Sequence, residues 1–170
     1  NTVLNGLYCT YNQLTSLDVS ANTDLIVLWC GNNQLTSLDV SANTSLDVLV
    51  CDNNQLTSLD VSSNTALNYL DCYNNQLTSL DVSNNTNLER LLCYDNELTY
   101  LNMKNGITDD LTYITASNTP AFDATDNSLT CIEVNADDVD YATANWTSGN
   151  SIIDAGVTFS ESCAVQGNPD

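Results

Sequence analysis

Apolar and polar positions along the chain recur with a period of 21 residues, most plainly from Leu67 to Asn87, LNYLDCYNNQLTSLDVSNNTN. Two shorter phrases lie inside that unit: Leu67-x-x-Leu70-x-Cys72-x-x-Asn75, then Leu77-x-x-Leu80-x-Val82-x-x-Asn85. In each, apolar residues sit two apart, the spacing of one face of a short strand, and an asparagine follows where the backbone must turn. A unit this short cannot bury its apolar side alone, so it must stack on copies of itself. The copies begin at Leu4, Leu25, Leu46, Leu67 and Leu88. They align a cysteine row (Cys9, Cys30, Cys51, Cys72, Cys93) and an asparagine row (Asn12, Asn33, Asn54, Asn75, Asn96). The second phrase adds Asn22, Asn43, Asn64 and Asn85, with Val19, Val40, Val61, Val82 and Met103 as its inner row. The pattern predicts a β-rich solenoid with short strands on two sides of each coil and little helix.

The corner asparagines are explained structurally, since an amide both donates and accepts and a stacked row satisfies turn backbone groups. The five row cysteines occupy inward positions where a small apolar side chain is wanted. Parallel neighbours ~5 Å apart do not suit a disulfide, whose Cβ atoms lie at ~3.8 Å. No C-x-x-C pair is present for a metal. The five are therefore expected to be buried, unreactive thiols.

Leu-x-x-Leu-x-Leu-x-x-Asn-x-Leu, with cysteine at the third leucine, resembles the leucine-rich-repeat signature. Because both halves follow it, the chain resembles the nested bacterial variant with a 21-residue repeat. The wording LxCxxNQLTSLDVSxNTxL is similar to that of secreted repeat proteins of Bacteroidetes. The resemblance implies a right-handed leucine-rich-repeat coil, usually a recognition surface, and no single ligand. After Met103 the rhythm breaks at Gly106 and Asp109, and a degraded repeat follows as Leu111-x-x-Ile114-x-Ala116-x-Asn118. The stretch from Asn127 to Cys163 resembles the segment that closes such arrays. It holds Trp146 and the two cysteines outside the row, Cys131 and Cys163. A Cys131–Cys163 disulfide would staple that cover over the last coil, contributing ~3–4 kcal/mol by the loop-entropy estimate. The expected divisions are an array at 1–104, a transition at 105–126 and an irregular, β-containing C-terminal cap at 127–170.

Composition narrows the function. A net charge of −20 rests on 22 acids against only Arg90 and Lys104, which repels nucleic acid and anionic lipid. No apolar run is long enough to span a membrane. A disulfide implies an oxidising compartment, so a secreted or bacterial cell-surface location is expected. The chain opens inside a repeat, so a leader or leading cap is expected ahead of residue 1, within a larger secreted polypeptide. With no histidine, no nucleophile–base pair and no phosphate loop, an enzyme is not expected. Paired aspartates that could cleave glycosides have no evident pocket here.

What varies between coils points to a site. Outward residues of the second side barely change: Ser-x-Asp-x-Ser around Asp18, Asp39, Asp60 and Asp81. Calcium would relieve repulsion along that aspartate row, but no EF-hand spacing exists and serine hydroxyls suffice, so a solvated row is the simpler reading and no cofactor is expected. The interleaved aspartates also count against ice binding by the Thr15, Thr36, Thr57, Thr78 row. On the first side the outward residues differ at every coil. Tyr8, Val27, Trp29, Val48, Val50, Tyr69, Asp71, Tyr73, Arg90, Leu92 and Tyr94 are the candidate ligand-binding set. Exposed aromatic and aliphatic side chains on an otherwise polar chain suit a protein or carbohydrate partner. The plainer alternatives are single tolerated surface hydrophobes and a structural spacer in a larger surface protein.

Overall fold

The structure, a computed structural model, describes residues 3–106, 121–150 and 152–163. The proposed degraded repeat around Leu111–Asn118 lies outside the described residues.

On the first side of the coil, six short strands form one parallel sheet in the order β1-β2-β3-β4-β6-β8. They are β1 (Gly6–Tyr8), β2 (Val27–Trp29), β3 (Val48–Val50), β4 (Tyr69–Asp71), β6 (Arg90–Leu92) and β8 (Phe122–Asp123). Leu28, Leu49, Leu70 and Leu91 are in register across it and wholly buried, whereas their neighbours on either side point outward. The second side carries β5 (Ser79–Asp81), β7 (Tyr100–Asn102), β9 (Cys131–Glu133) and β10 (Thr158–Ser160), in the order β10-β9-β7-β5.

Strands are thus absent from the second side of the first three coils, among the described residues, although two strand-bearing sides are expected throughout. The row of aspartates explains it. Like charges directly opposite one another weaken a ladder, and Asp39 feels Asp18 just as Asp60 feels Asp39. Pairing begins where Asp81 meets Asn102, whose Nδ2 donates to Asp81 Oδ2 at 3.1 Å.

The asparagine row of the first phrase ties each coil to the one before it. Asn54 Oδ1 accepts the Leu35 N–H at 3.0 Å, and its Nδ2 donates to Cys30 O and Cys51 O at 3.1 Å each. Asn33, Asn75 and Asn96 repeat the arrangement. So does Asn127, which accepts the Leu98 N–H and donates to Cys93 O. There the partners are 29 and 34 residues apart instead of 19 and 24. A coil running through Phe122, Ala124, Asn127, Leu129, Ile132 and Val134 therefore continues the array beyond the break at 104.

Val19, Leu25, Cys30, Val40, Cys51, Val61, Cys72, Val82, Cys93 and Met103 fill the column between the two sides. Cys30, Cys51, Cys72 and Cys93 are free and fully buried. Cys9 is free but only partly buried, which corrects the expectation of five shielded thiols; Leu4, Leu7, Leu14 and Leu17 of the same coil are partly buried too. At the other end the column is closed by β10, by helix α1 (Val139–Asn145), and by Trp146, which lies 4.4 Å from the Phe122 ring and 5.8 Å from that of Phe159. Cys131 and Cys163 form a disulfide with Cα atoms 5.8 Å apart.

Candidate functional site

The register of the first sheet places the outward residues in three rows along the solenoid. Gly6, Val27, Val48, Tyr69 and Arg90 make one, and Tyr8, Trp29, Val50, Asp71, Leu92 and Asp123 the middle one. Gly31, Asp52, Tyr73 and Tyr94 follow two residues later in the sequence as the third.

These residues separate into two halves. Around β4 and β6 the side chains satisfy one another. The Arg90 guanidinium pairs with Asp71 at 3.1 Å and sits 4.8 Å from the centre of the Tyr69 ring. The Tyr69 hydroxyl donates to Asp71 Oδ2 at 3.0 Å. Beside them Tyr73 and Tyr94 stack in parallel, 4.4 Å apart with 7° between their planes. Asp71 and Leu92 point outward as expected, yet each is only 6% exposed. The large side chains of the flanking rows roof over the middle row, so these two are not available for contact. Burial raises the Asp71 carboxyl above its ordinary value, against the opposing pull of Arg90 and Tyr69. Burial, then the Asp71 charge, pushes the Tyr69 phenol up to about 12.

Around β1 and β2 the surface is open. Tyr8 and Trp29 meet edge to face at 5.3 Å and are 65% and 43% exposed. Ile26 and Tyr11 join them; neither belongs to the set read from strand alternation, because both lie just outside the strands. Tyr11 has φ 55°, the left-handed region. The same turn position in later coils is Asn32, Asn53, Asn74, Asp95 and Asp126, all at positive φ. Asparagine and aspartate tolerate that conformation, whereas a bulky residue is strained in it. The signal was therefore present in the sequence, as the one coil that departs from Asn or Asp there.

Gly31 leaves room in this face that the Asp52 side chain, only 4% exposed, fills. A Cβ at Gly31 would lie 2.3 Å from Asp52 Oδ1. The absent side chain lets the Asp52 carboxylate lie against β2, where Asn32 Nδ2 donates to it at 3.1 Å and Asn53 Nδ2 at 2.6 Å.

On the opposite side, each row aspartate is occupied with its own turn. Asp18, Asp39, Asp60 and Asp81 accept the N–H of Ser20, Ser41, Ser62 and Ser83 at 2.9–3.0 Å. The serine side chains and then these backbone bonds hold Asp18, Asp39 and Asp60 below the ordinary carboxylate value. Among the described residues, no three acidic, cysteine or histidine side chains converge as a metal-binding group.

No family model and no curated protein matches the chain. Among solved structures it is similar to the functional domain of InlJ from Listeria monocytogenes, described as including a cysteine ladder. The identity is 34%, over 79% of this chain and 35% of that one, with a TM-score of 0.55. A leucine-rich-repeat protein of Leptospira interrogans shares 28% identity over 76% of this chain and 33% of that one, at a TM-score of 0.62. An internalin (inlF) of Listeria monocytogenes agrees in fold alone, at 19% identity, 94% and 44% coverage and a TM-score of 0.61. The chain spans about a third of the length of the first two. With its parallel strands stacked coil on coil, its asparagine and cysteine rows and these likenesses, the chain is a β-solenoid of the leucine-rich-repeat fold.

Proposed function

We propose that this chain is an extracellular recognition or adhesion module that binds a protein through the outward side of its six-stranded sheet. One contrast carries the reading. The first side presents a different set of aromatic, aliphatic and charged residues at each coil, while the second repeats Ser-Asp-Ser. A repeat built only for length has no need of Trp29, Tyr73 and Tyr94 on one flank, and aromatic side chains are the residues that dominate binding energy at interfaces. The Cys131–Cys163 bond supports a location outside the reducing cytoplasm, and no helix among the described residues is long and apolar enough to cross a membrane. A sugar is the second candidate ligand, because aromatic rings with polar neighbours suit sugar faces as well as protein partners.

Screening the intact domain against surface-protein and glycan arrays tests the assignment. With any ligand found, Trp29→Ala or Tyr73→Ala should weaken binding by roughly 2 kcal/mol, whereas Ser37→Ala and Ser58→Ala leave affinity unchanged. A ligand that ignores both aromatic substitutions and depends on the serine side would overturn it, as would silence on both arrays, which favours the spacer.

A further inference from the structure

We infer that the stacked Tyr73–Tyr94 pair is a site of oxidative cross-linking, at which hydrogen peroxide, acting through a peroxidase, joins the two rings as dityrosine and staples the fourth coil to the fifth.

Tyr73 and Tyr94 are 21 residues apart, at the same place in successive coils. The Asn74 N–H, which donates to the Tyr94 carbonyl at 3.0 Å, fixes that register. Their rings lie 4.4 Å apart with 7° between the planes. Side chains that leave parallel coils in register point the same way, so the two hydroxyl ends lie together, and each phenol perturbs the titration of the other. The carbons ortho to the two oxygens therefore face one another, which is the contact that a ring-to-ring bond needs.

Neighbouring residues hold the pair in place without covering it. Cys72 and Cys93, each one residue earlier, are fully buried. Two residues later Asn75 and Asn96 donate to the Tyr73 and Tyr94 carbonyls at 3.2 Å each. Both tyrosines remain partly exposed, so a small oxidant reaches them.

The pairing is also selective. Among the described residues no other two tyrosine rings meet. Tyr8 meets Trp29 edge to face, Tyr69 lies under Arg90 and bonds Asp71, and the Tyr100 hydroxyl donates to Glu133. Earlier coils place Thr10, Gly31 and Asp52 at this position, none of which carries a ring.

Burial raises both phenols above their ordinary value, so each reacts as the neutral phenol and gives up a proton with its electron. One hydrogen peroxide, through a haem peroxidase, takes one electron and one proton from each ring and is reduced to two waters. The two phenoxyl radicals couple carbon to carbon. The hydrogens on those carbons then return to the oxygens as the rings regain aromaticity. The product keeps both hydroxyls and has lost two hydrogens. The Cys131–Cys163 bond supports an oxidising compartment, where such an oxidant is met.

The test treats the purified chain, dilute and near neutral pH, with hydrogen peroxide and a haem peroxidase. Dityrosine fluorescence should appear in the monomer band of a denaturing gel. The intact mass should fall by two hydrogens, and a digest should join the Tyr73 peptide to the Tyr94 peptide. The same treatment in urea should form this product at least about tenfold more slowly, because the fold supplies the proximity. Tyr73→Phe and Tyr94→Phe keep a ring in the stack and should each abolish the product, while Tyr69→Phe and Tyr100→Phe leave it. The linked chain should melt at a higher temperature than Tyr94→Phe treated alike, since the new bond removes entropy from the unfolded state. A product that forms as fast in urea, that survives Tyr73→Phe, or that arises only between molecules would overturn the proposal. So would treatment that consumes peroxide and leaves Tyr73 and Tyr94 unlinked. A linked chain that melts no higher would show that the bond is no staple.

Discussion

At the scale of single residues, the outward face is governed by how each side chain's neighbours on adjacent coils treat it. Asp71 and Trp29 share one row, yet one is covered and bonded and the other is open, because Tyr69 and Arg90 flank the first. Strand alternation predicts the direction of each side chain but not its cover, since cover depends on residues 19 to 21 positions away that only stacking brings together. The same burial sets a pH dependence. Tyr69, ordinarily 10, is pushed up to about 12, and the Cys30 thiol, ordinarily 9, is raised by burial and by Cys9 and Asp52 to about 12. A group whose pKa rises on folding contributes stability that is complete below its unfolded value and lost as pH climbs through the folded one. Stability toward urea should therefore hold to about pH 9 and fall toward pH 12. Tyr69→Phe should lower stability at pH 7 by about 1 kcal/mol, through the lost bond to Asp71, and make the alkaline fall shallower. An unchanged slope would show that Tyr69 is not a protected phenol.

At the scale of elements, the second side illustrates a competition between register and charge. The inner row there is as regular as on the first side, with Leu38, Leu59 and Leu80 each buried. Pairing nevertheless starts only at β5 and β7, where an amide replaces one of two facing carboxylates. Asn102→Asp should restore the repulsion and cost about 0.5–1 kcal/mol in low salt. Asp39→Asn combined with Asp60→Asn should stabilise by a similar amount, and that gain should shrink at high ionic strength. NaCl and CaCl2 raised to equal ionic strength should shift the melting temperature alike. A calcium-specific rise removed by the double variant would instead show a metal bound along the row. The aspartates themselves are plain in the sequence. Their effect on strand pairing is not, because a pattern of apolar positions carries no information about charges facing across coils.

At the scale of the whole molecule, the period, the inward leucines and cysteines and the corner asparagines were legible because each is imposed again at every coil. The coil through Phe122 and Val134 was not, since the longer interval before Asn127 removes it from the period while leaving its bonds to Leu98 and Cys93 unchanged. Among the described residues β10 pairs with β9, through Thr158 and Cys131, and with no other strand, so the disulfide is expected to hold the closing segment in place. Cys131→Ser with Cys163→Ser should cost about 3–4 kcal/mol, read as a lower urea midpoint and as Trp146 fluorescence shifting toward that of an exposed indole before the array unfolds. Loss of stability without early exposure of Trp146 would mean that the cap and the column unfold as one. The asparagine bonds also give the column a polarity. In each of these turns the Leu N–H is bonded by the amide of the coil that follows, and the Cys carbonyl by that amide as well as by the one of its own coil. A cut made from the C-terminal side therefore leaves the last remaining turn's Leu N–H without its side-chain acceptor, whereas a cut from the N-terminal side removes a turn and leaves its successor's amide to water. Fraying and rescue are then unequal at the two ends, and a chain emerging N-terminus first holds each coil unfinished until the next has been made.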